Sequence, residues 1–477
     1  MSRRSARSSR TPPVCRPRAS PASVRAGRPA PPTPRVTEVP DPTAADSDTP
    51  EPTAADAARP EPTPLLAPRD GVPPLTDTPD AVRAVAAALA AGSGPLAVDA
   101  ERASGFRYSA RAYLIQLRRR GAGTVLLDPI PVVAAGDDGR DALAALADAV
   151  GDLEWVLHSA DQDLPGLAEL GLTPGSLYDT ELAGRLAGFE RVGLAAMVER
   201  VLGLSLQKGH GAADWSTRPL PDTWLNYAAL DVEVLVELRD AMAEELANQG
   251  KTDWAAQEFE HIRLAPPPAP KPDRWRRTSG IHTVKNARTL AAIRELWTAR
   301  DDLARKRDVA PSRVLPDSAI TAAAQQNPST SGELRSLPVF GGPRQRRQSH
   351  VWMSALERAR DLPDTALPPV AQPVTGPPPI SRWARRDPAA AARLTAVREA
   401  VAALSERVHV PVENLCAPDT LRRLCWEWPG PPATDDLPAH VDAVLTAHGA
   451  RPWQREVVGP VVTEALATAD APEVTDE

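Results

Sequence analysis

A chain of 477 residues has room for roughly two to four domains, and its net charge of -7 averages over segments of opposite sign. Three cysteines (Cys15, Cys416 and Cys425) are too few and too badly spaced for a disulfide framework or a zinc site, and no apolar run reaches the roughly 18 residues of a membrane span. These absences exclude a secreted disulfide scaffold and a membrane-spanning protein, and they predict a reduced, cytoplasmic compartment.

Residues 1–74 are dominated by Pro, Ala, Ser, Thr, Arg and Asp, with nine Arg and no acid in residues 1–35. Such a stretch cannot bury enough apolar surface to offset its ordering entropy, so a disordered tail is predicted. Residues 75–262 carry 15 basic and 27 acidic residues between positions 81 and 260, which suits cation binding. Here Val82, Val85 and Leu89 have helical spacing, and PLAVDAE then reads as a buried strand ending in acids. AYLIQL and TVLLDP, joined by the turn RRRGAG, predict a meander beside that strand. EWVLHSA is a further strand, and helical patterns dominate from Asp179 to Gln257, the longest being PDTWLNYAALDVEVLVELRDAMAEELANQ. An α/β domain with a mixed sheet follows.

A Pro-rich linker spans residues 263–284, since polyproline resists packing into a core. The helical segment 285–362 lies in a basic region, with 18 basic against 8 acidic residues between 271 and 360. After a second Pro-rich linker, 363–381, another helical block covers 382–469, and an acidic tail covers 470–477. IRELWTARDDLARKRDVAPSRVLPDSAI and VREAVAALSERVHVPVENLCAPDTLRRL look like diverged copies of one helical repeat. Arg276, Arg277, Arg344, Arg346 and Arg347 are candidate phosphate contacts in the basic block, where Trp275, Trp297 and Trp352 could stack bases. Trp297, set within a regular helical pattern, is expected in the core instead.

Asp99 and Glu101 stand two apart on a strand, so their carboxylates share a face and repel unless a cation lies between them. Such a pair is also common on a solvent-exposed edge. Asp163 falls at a strand-to-helix junction in HSADQDL, while Tyr227 and Asp231, four apart, share one helical face. A half-buried core aromatic is the alternative for Tyr227.

With DAERASGFRYSARAYLIQLRR, HSADQDLPGLAELGLTPGSLYDTELAGRLAG, GLAAMVERVLGL, ADWSTRPLP and YAALDVEVL in this order, the chain resembles the DEDD exonuclease superfamily, its tyrosine-bearing branch, and within it the ribonuclease D family. The block RTLAAIRELWTARDDLARKRDVAPSRVLPDSAI is similar to the HRDC domain, and the last block looks like a second copy. The resemblance implies a ribonuclease H-like exonuclease domain followed by two small all-α domains. It implies metal-dependent 3'-to-5' removal of nucleotides from RNA 3' ends such as tRNA precursors. Asp99, Glu101, Asp163 and Asp231 would then hold two divalent cations, Mg²⁺ or Mn²⁺, and Tyr227 would orient or deprotonate the attacking water. Matching the motif selects Asp163 over Asp161. His158, Asp179, Trp215 and Arg218 are expected to be structural. Ala100 and Arg102 depart from the family pattern, in which Thr and an apolar residue are usual. A DNA 3'-exonuclease, or an inactive nucleic-acid-binding scaffold, would keep much of the same sequence; a monomer without membrane contact is expected.

Overall fold

The computed structural model describes residues 61–477, apart from 207–208, 268, 270, 372–375, 429–435 and 470–477. Most of the predicted disordered tail, residues 1–60, and the acidic tail lie outside the described residues. Residues 61–74 correct the tail's boundary. Strand β1 (Thr63–Leu65) pairs in parallel with β8 (Leu204–Leu206), and Asn226 Nδ2 donates to the Leu66 carbonyl at 2.9 Å. Asp70 pairs with Arg118 at 3.3 Å, so partners contributed by distant segments order a stretch whose own composition predicts none.

The helix Pro79–Ala91 starts where Thr78 Oγ1 accepts from Ala81 N and Pro79 occupies the first turn. Beyond it, a six-stranded mixed sheet carries the domain in the order β2-β5-β4-β3-β6-β7. Its strands are β2 (Leu75–Thr76), β3 (Ser93–Arg102), β4 (Ala112–Arg120), β5 (Gly123–Leu127), β6 (Glu154–Leu157) and β7 (Ser176–Asp179). The meander β3-β4-β5 is antiparallel, while β6 and β7 run parallel to β3. The alternation of β3 sends Val98 and Ala100 into the main core and leaves Asp99 and Glu101 facing the helix Asp222–Glu233.

The long helical pattern after Pro221 is broken into Asp222–Glu233 and Leu235–Asn248 at Val234, whose φ is -108°. The break lets the first helix lie across β3, β4 and β5 while the second packs toward β6 and the Thr180–Leu186 helix. A continuous helix could not follow both surfaces.

The two downstream helical blocks share one plan. Each contains a 21-residue helix, Ala287–Arg307 or Pro388–Val408, ended by a left-handed residue, Asp308 or His409. A four-residue helix follows (Pro311–Val314 or Val412–Leu415), then another helix (Asp317–Gln326 or Pro418–Trp426). The blocks differ in what they pack against. The first has its own core around Leu296, Ile320 and Trp352, and Trp275 from the predicted linker is 5% exposed within it. The second shares a continuous core with the α/β domain: Trp453 stacks on Trp254 with centroids 4.7 Å apart, and Glu258 accepts from both Arg451 and Trp453.

Candidate active site

The four acids and the tyrosine line one cavity of about 460 Å³, with His158, Arg102 and Gly209 also on its wall. Carboxylate oxygens of Asp99, Glu101 and Asp231 lie within 4.8 Å of one another. Asp163 lies in the same cavity outside that trio, with its Oδ1 4.0 Å from Arg102 Nε. Asp161, by contrast, is exposed and outside the cavity, which separates the two neighbouring acids as the motif match did.

Electrostatics show how poorly these acids tolerate one another without a cation. Burial, reinforced by Asp99, Asp231 and Asp163, pushes Glu101 up from 4.5 to about 10. Burial together with the charge of Asp99 pushes Asp163 up to about 8; burial raises Asp99 to about 6 and Asp231 well above its ordinary value. Four carboxylates, all pushed above their ordinary values, are a poor arrangement for a protein that needs only structure there. Hard oxygen donors converging at this spacing fit a divalent cation, which would replace the protons. Burial and the neighbouring carboxylates raise the Tyr227 phenol far above its usual range, so it is protonated at neutral pH.

The scaffold explains why Asp163 arrives there. β6 ends at Leu157, and Ser159 turns with φ 63° into a short helical turn. Asp179, at the end of β7, accepts the backbone amides of Ser159 (3.2 Å), Ala160 (2.8 Å) and Leu182 (3.1 Å). It therefore caps its own helix, as expected, and also ties down the segment carrying Asp163. His158 Nδ1 lies 2.9 Å from Thr180 Oγ1, and burial lowers its pKa to about 4, so the ring is neutral and structural. Trp215 is fully buried, and Arg218 makes a two-pronged contact with Asp128 at 2.7 and 2.9 Å while donating to the Tyr113 carbonyl, which braces the loop before the Tyr227 helix.

Sequence reasoning passed over several members of the site. Gly209 lies against Tyr227: a Cβ there would fall 2.6 Å from the ring's Cδ2, so only glycine lets the loop cover the phenol. His210 meets the same ring edge-on, with centroids 5.8 Å apart. The KGHG run was the available signal. Gln116 is in register with Asp99 and hence on its face of the sheet; its fully buried amide has no hydrogen-bond partner among the described residues. Arg102, the departure noted in the first motif, also donates to Gln162 Oε1 at 3.2 Å and is the cation closest to Asp163.

The phosphate-contact expectation needs correction at Arg276. Its guanidinium lies over the Trp275 ring at 4.3 Å, approaches Asp273 at 3.7 Å and donates to the Pro369 carbonyl at 3.0 Å, so it joins the linkers to the domain. Arg277, Arg344, Arg346 and Arg347 are exposed. Trp275 and Trp352 are core residues, whereas Trp297 is half-buried and lines a surface groove.

A mixed sheet presenting converging carboxylates beside a helical Tyr-Asp pair defines the class, a 3'-5' exonuclease domain followed by helical modules. Family models agree: residues 75–247 match "3'-5' exonuclease", 289–356 match "HRDC domain", and 376–466 match "3' to 5' exonuclease C-terminal domain". Ribonuclease D of Gluconacetobacter diazotrophicus is 31% identical over 351 residues, covering 72% of this chain and 81% of that one. A crystal structure of a protein from Bifidobacterium adolescentis is similar at 40% identity with a TM-score of 0.78, covering 85% of this chain and all of that one. Escherichia coli RNase D shares the fold at 24% identity and a TM-score of 0.59, over 83% and 98% of the two chains. The chain belongs to the ribonuclease D family.

Proposed function

We propose that this protein is a hydrolytic 3'-5' exoribonuclease whose site is built by Asp99, Glu101, Asp163, Asp231 and Tyr227. The observation that carries the reading is the approach of the Asp99, Glu101 and Asp231 oxygens within 4.8 Å of one another, in the wall of one cavity that Asp163 and Tyr227 also line. Ribonuclease D homologues act on RNA by name, and the Escherichia coli protein is described as an exoribonuclease involved in structured RNA processing. Substrates here are then RNA 3' ends, with tRNA precursors the first class to test. Among the described residues no helix is long and apolar enough to cross a membrane.

The four acids would hold two divalent cations, Mg²⁺ or Mn²⁺, and such ions acidify a water and neutralise charge on the leaving 3' oxygen. The chain's own groups do the rest. Tyr227, protonated and pinned by Gly209 and His210, orients the attacking water through its hydroxyl. Asp231, one helical turn on, keeps that hydroxyl aimed at the cluster, and Arg102 provides positive charge where the terminal phosphate enters.

Incubation of 3'-extended tRNA precursors with and without Mg²⁺ tests the reading. Stepwise release of nucleoside monophosphates that stops in Asp99→Ala and Asp231→Ala, with RNA binding retained, is expected. Unchanged hydrolysis in either variant would sink it, and degradation of a matched DNA oligomer at the same rate would remove the RNA preference.

A further inference from the structure

We propose that the segment 63–70 is a positioning strap for the reaction, which sets the rotation of the helix carrying Tyr227 through two anchors on that helix, Asn226 and Glu233. The inference rests on the reading that Tyr227 orients the attacking water. The match to the exonuclease family begins at residue 75, so the strap lies ahead of the domain the family shares.

The strap enters along the strand that leads to the tyrosine's cover. Thr63 N donates to the Gly203 carbonyl at 2.8 Å, and Leu65 stands in register with Leu206, which lines the catalytic cavity. Shortly beyond Leu206, Gly209 lies against the Tyr227 ring. The strap next reaches the helix itself: the Leu66 carbonyl accepts from Asn226 Nδ2 at 2.9 Å, at the residue immediately before Tyr227.

It then closes on the far end of the same helix. Glu233 is fully buried, and Arg118 of β4 holds both of its oxygens, at 3.2 and 3.3 Å. Arg69 Nη1 lies 3.7 Å from Glu233 and donates to Glu237 at 3.3 Å, so one guanidinium spans the break at Val234. Asp70 completes the cluster by pairing with Arg118 at 3.3 Å. A buried carboxylate is costly unless it is paired, and the reaction does not use this one; the orientation that its pairs impose on the catalytic helix accounts for it.

Asn226 and Glu233 are about two helical turns apart and share a face, while Tyr227 and Asp231 project from the adjacent one. Holding the first face at both ends denies the second its freedom to turn. Tyr227 is the long lever: its hydroxyl lies far from the helix axis, and a misplacement of about 1 Å can cost about 10²-fold in rate. Asp231, shorter and nearer the axis, moves less for the same rotation.

The test uses the full chain and compares the wild type with Asn226→Ala/Arg69→Gln, which releases the strap and leaves Glu233 with Arg118, in the native and the Tyr227→Phe backgrounds. Well below the melting temperature, single-turnover hydrolysis of RNA should slow about 10-fold in the native background, with RNA and Mn²⁺ affinities within about twofold. In the Tyr227→Phe background the same release should cost less than about twofold, because no hydroxyl is left to aim. Asn226→Ala/Arg69→Lys, which keeps a cation between Glu233 and Glu237, should regain about threefold. Amide exchange over residues 222–233, read without metal, should accelerate about 10-fold in the release variant while residues 93–102 keep their protection. A rate within about twofold of wild type, an equal loss in both backgrounds, or unchanged exchange overturns the strap. A wild-type rate in Tyr227→Phe alone, or no hydrolysis by any of the proteins, would refute the reading of the site instead, and the exchange would then decide the strap by itself.

Discussion

Asp308 accepts the backbone amides of Tyr108 and Ser109, at 3.2 and 2.9 Å, from a position that ends a helix of a different module. Its second oxygen takes Arg111 at 3.0 Å and the Tyr113 hydroxyl at 3.2 Å, while Tyr108 in turn donates to Asp301. The loop joining β3 to β4 is thereby fixed from outside the α/β domain. Burial opposes ionisation of Asp308, but its hydrogen bonds with Ser109 and the Tyr113 hydroxyl and the charge of Arg111 outweigh it and lower the carboxyl below its ordinary value. The first helical block is thus part of the frame of the catalytic strand.

Asp308→Ala should free that loop. Several partners are lost at once, each worth about 0.5–1.5 kcal/mol, so trypsin cleavage after Arg107 or Arg111 should accelerate at least about 10-fold while overall helicity is kept. RNA hydrolysis should fall with it, in kcat more than in KM. Wild-type proteolysis rates would show that the loop is held without Asp308.

Tyr227→Phe separates positioning from metal binding. The ring stays against Gly209, and only the hydroxyl is removed, so structure and cation affinity should be unchanged. Turnover should drop by about 10²–10⁴, the usual contribution of a placed acid-base group. Single-turnover rates alongside a Mn²⁺ titration check both halves.

How far the sequence revealed this architecture depended on the range of the interactions. The strand ending in Asp99 and Glu101, the meander after it and the Tyr227-Asp231 face are local patterns, and all are where periodicity put them. The two- to four-residue strands β1, β2, β7 and β8 are too short to show alternation and exist because partners far along the chain hydrogen-bond them. The same reason hid Asp308, whose role lies about 200 positions from its partners. Arg276 failed as a phosphate contact for a related cause, since nothing in RWRR reveals that one guanidinium folds back on Trp275. Asp179 was seen as a cap, but its hold on Ser159 and Ala160 is tertiary.

That hold makes Asp179 testable in its own right. Asp179→Ala leaves three backbone amides without their acceptor and should cost about 2–4 kcal/mol, with loss of activity through displacement of Asp163. Asp179→Asn keeps an acceptor oxygen and should recover part of both. Denaturant unfolding with a parallel activity assay distinguishes this from a cap that matters to its helix alone.

The raised carboxyl pKa values imply a pH dependence whose sign follows from which state holds the protons. Glu101 titrates near 4.5 when unfolded and is raised to about 10 in the metal-free fold, so its favourable protonated contribution is complete below about 4.5 and is lost as pH rises toward 10. Asp163, raised from 3.8 to about 8, loses its contribution over a lower window. Metal-free protein should therefore lose stability between pH 5 and 9 relative to Glu101→Gln, which cannot ionise there and should melt about 2–4 °C higher at pH 8. Saturating Mg²⁺ or Mn²⁺ should reverse the order, because only the native glutamate gives a charged ligand. Cation affinity of the wild type should tighten from pH 6 to pH 8, with proton release that calorimetry in two buffers measures directly. A melting temperature of Glu101→Gln below the wild type without metal at pH 8 would mean that the acids are accommodated as charged groups even when no cation is bound.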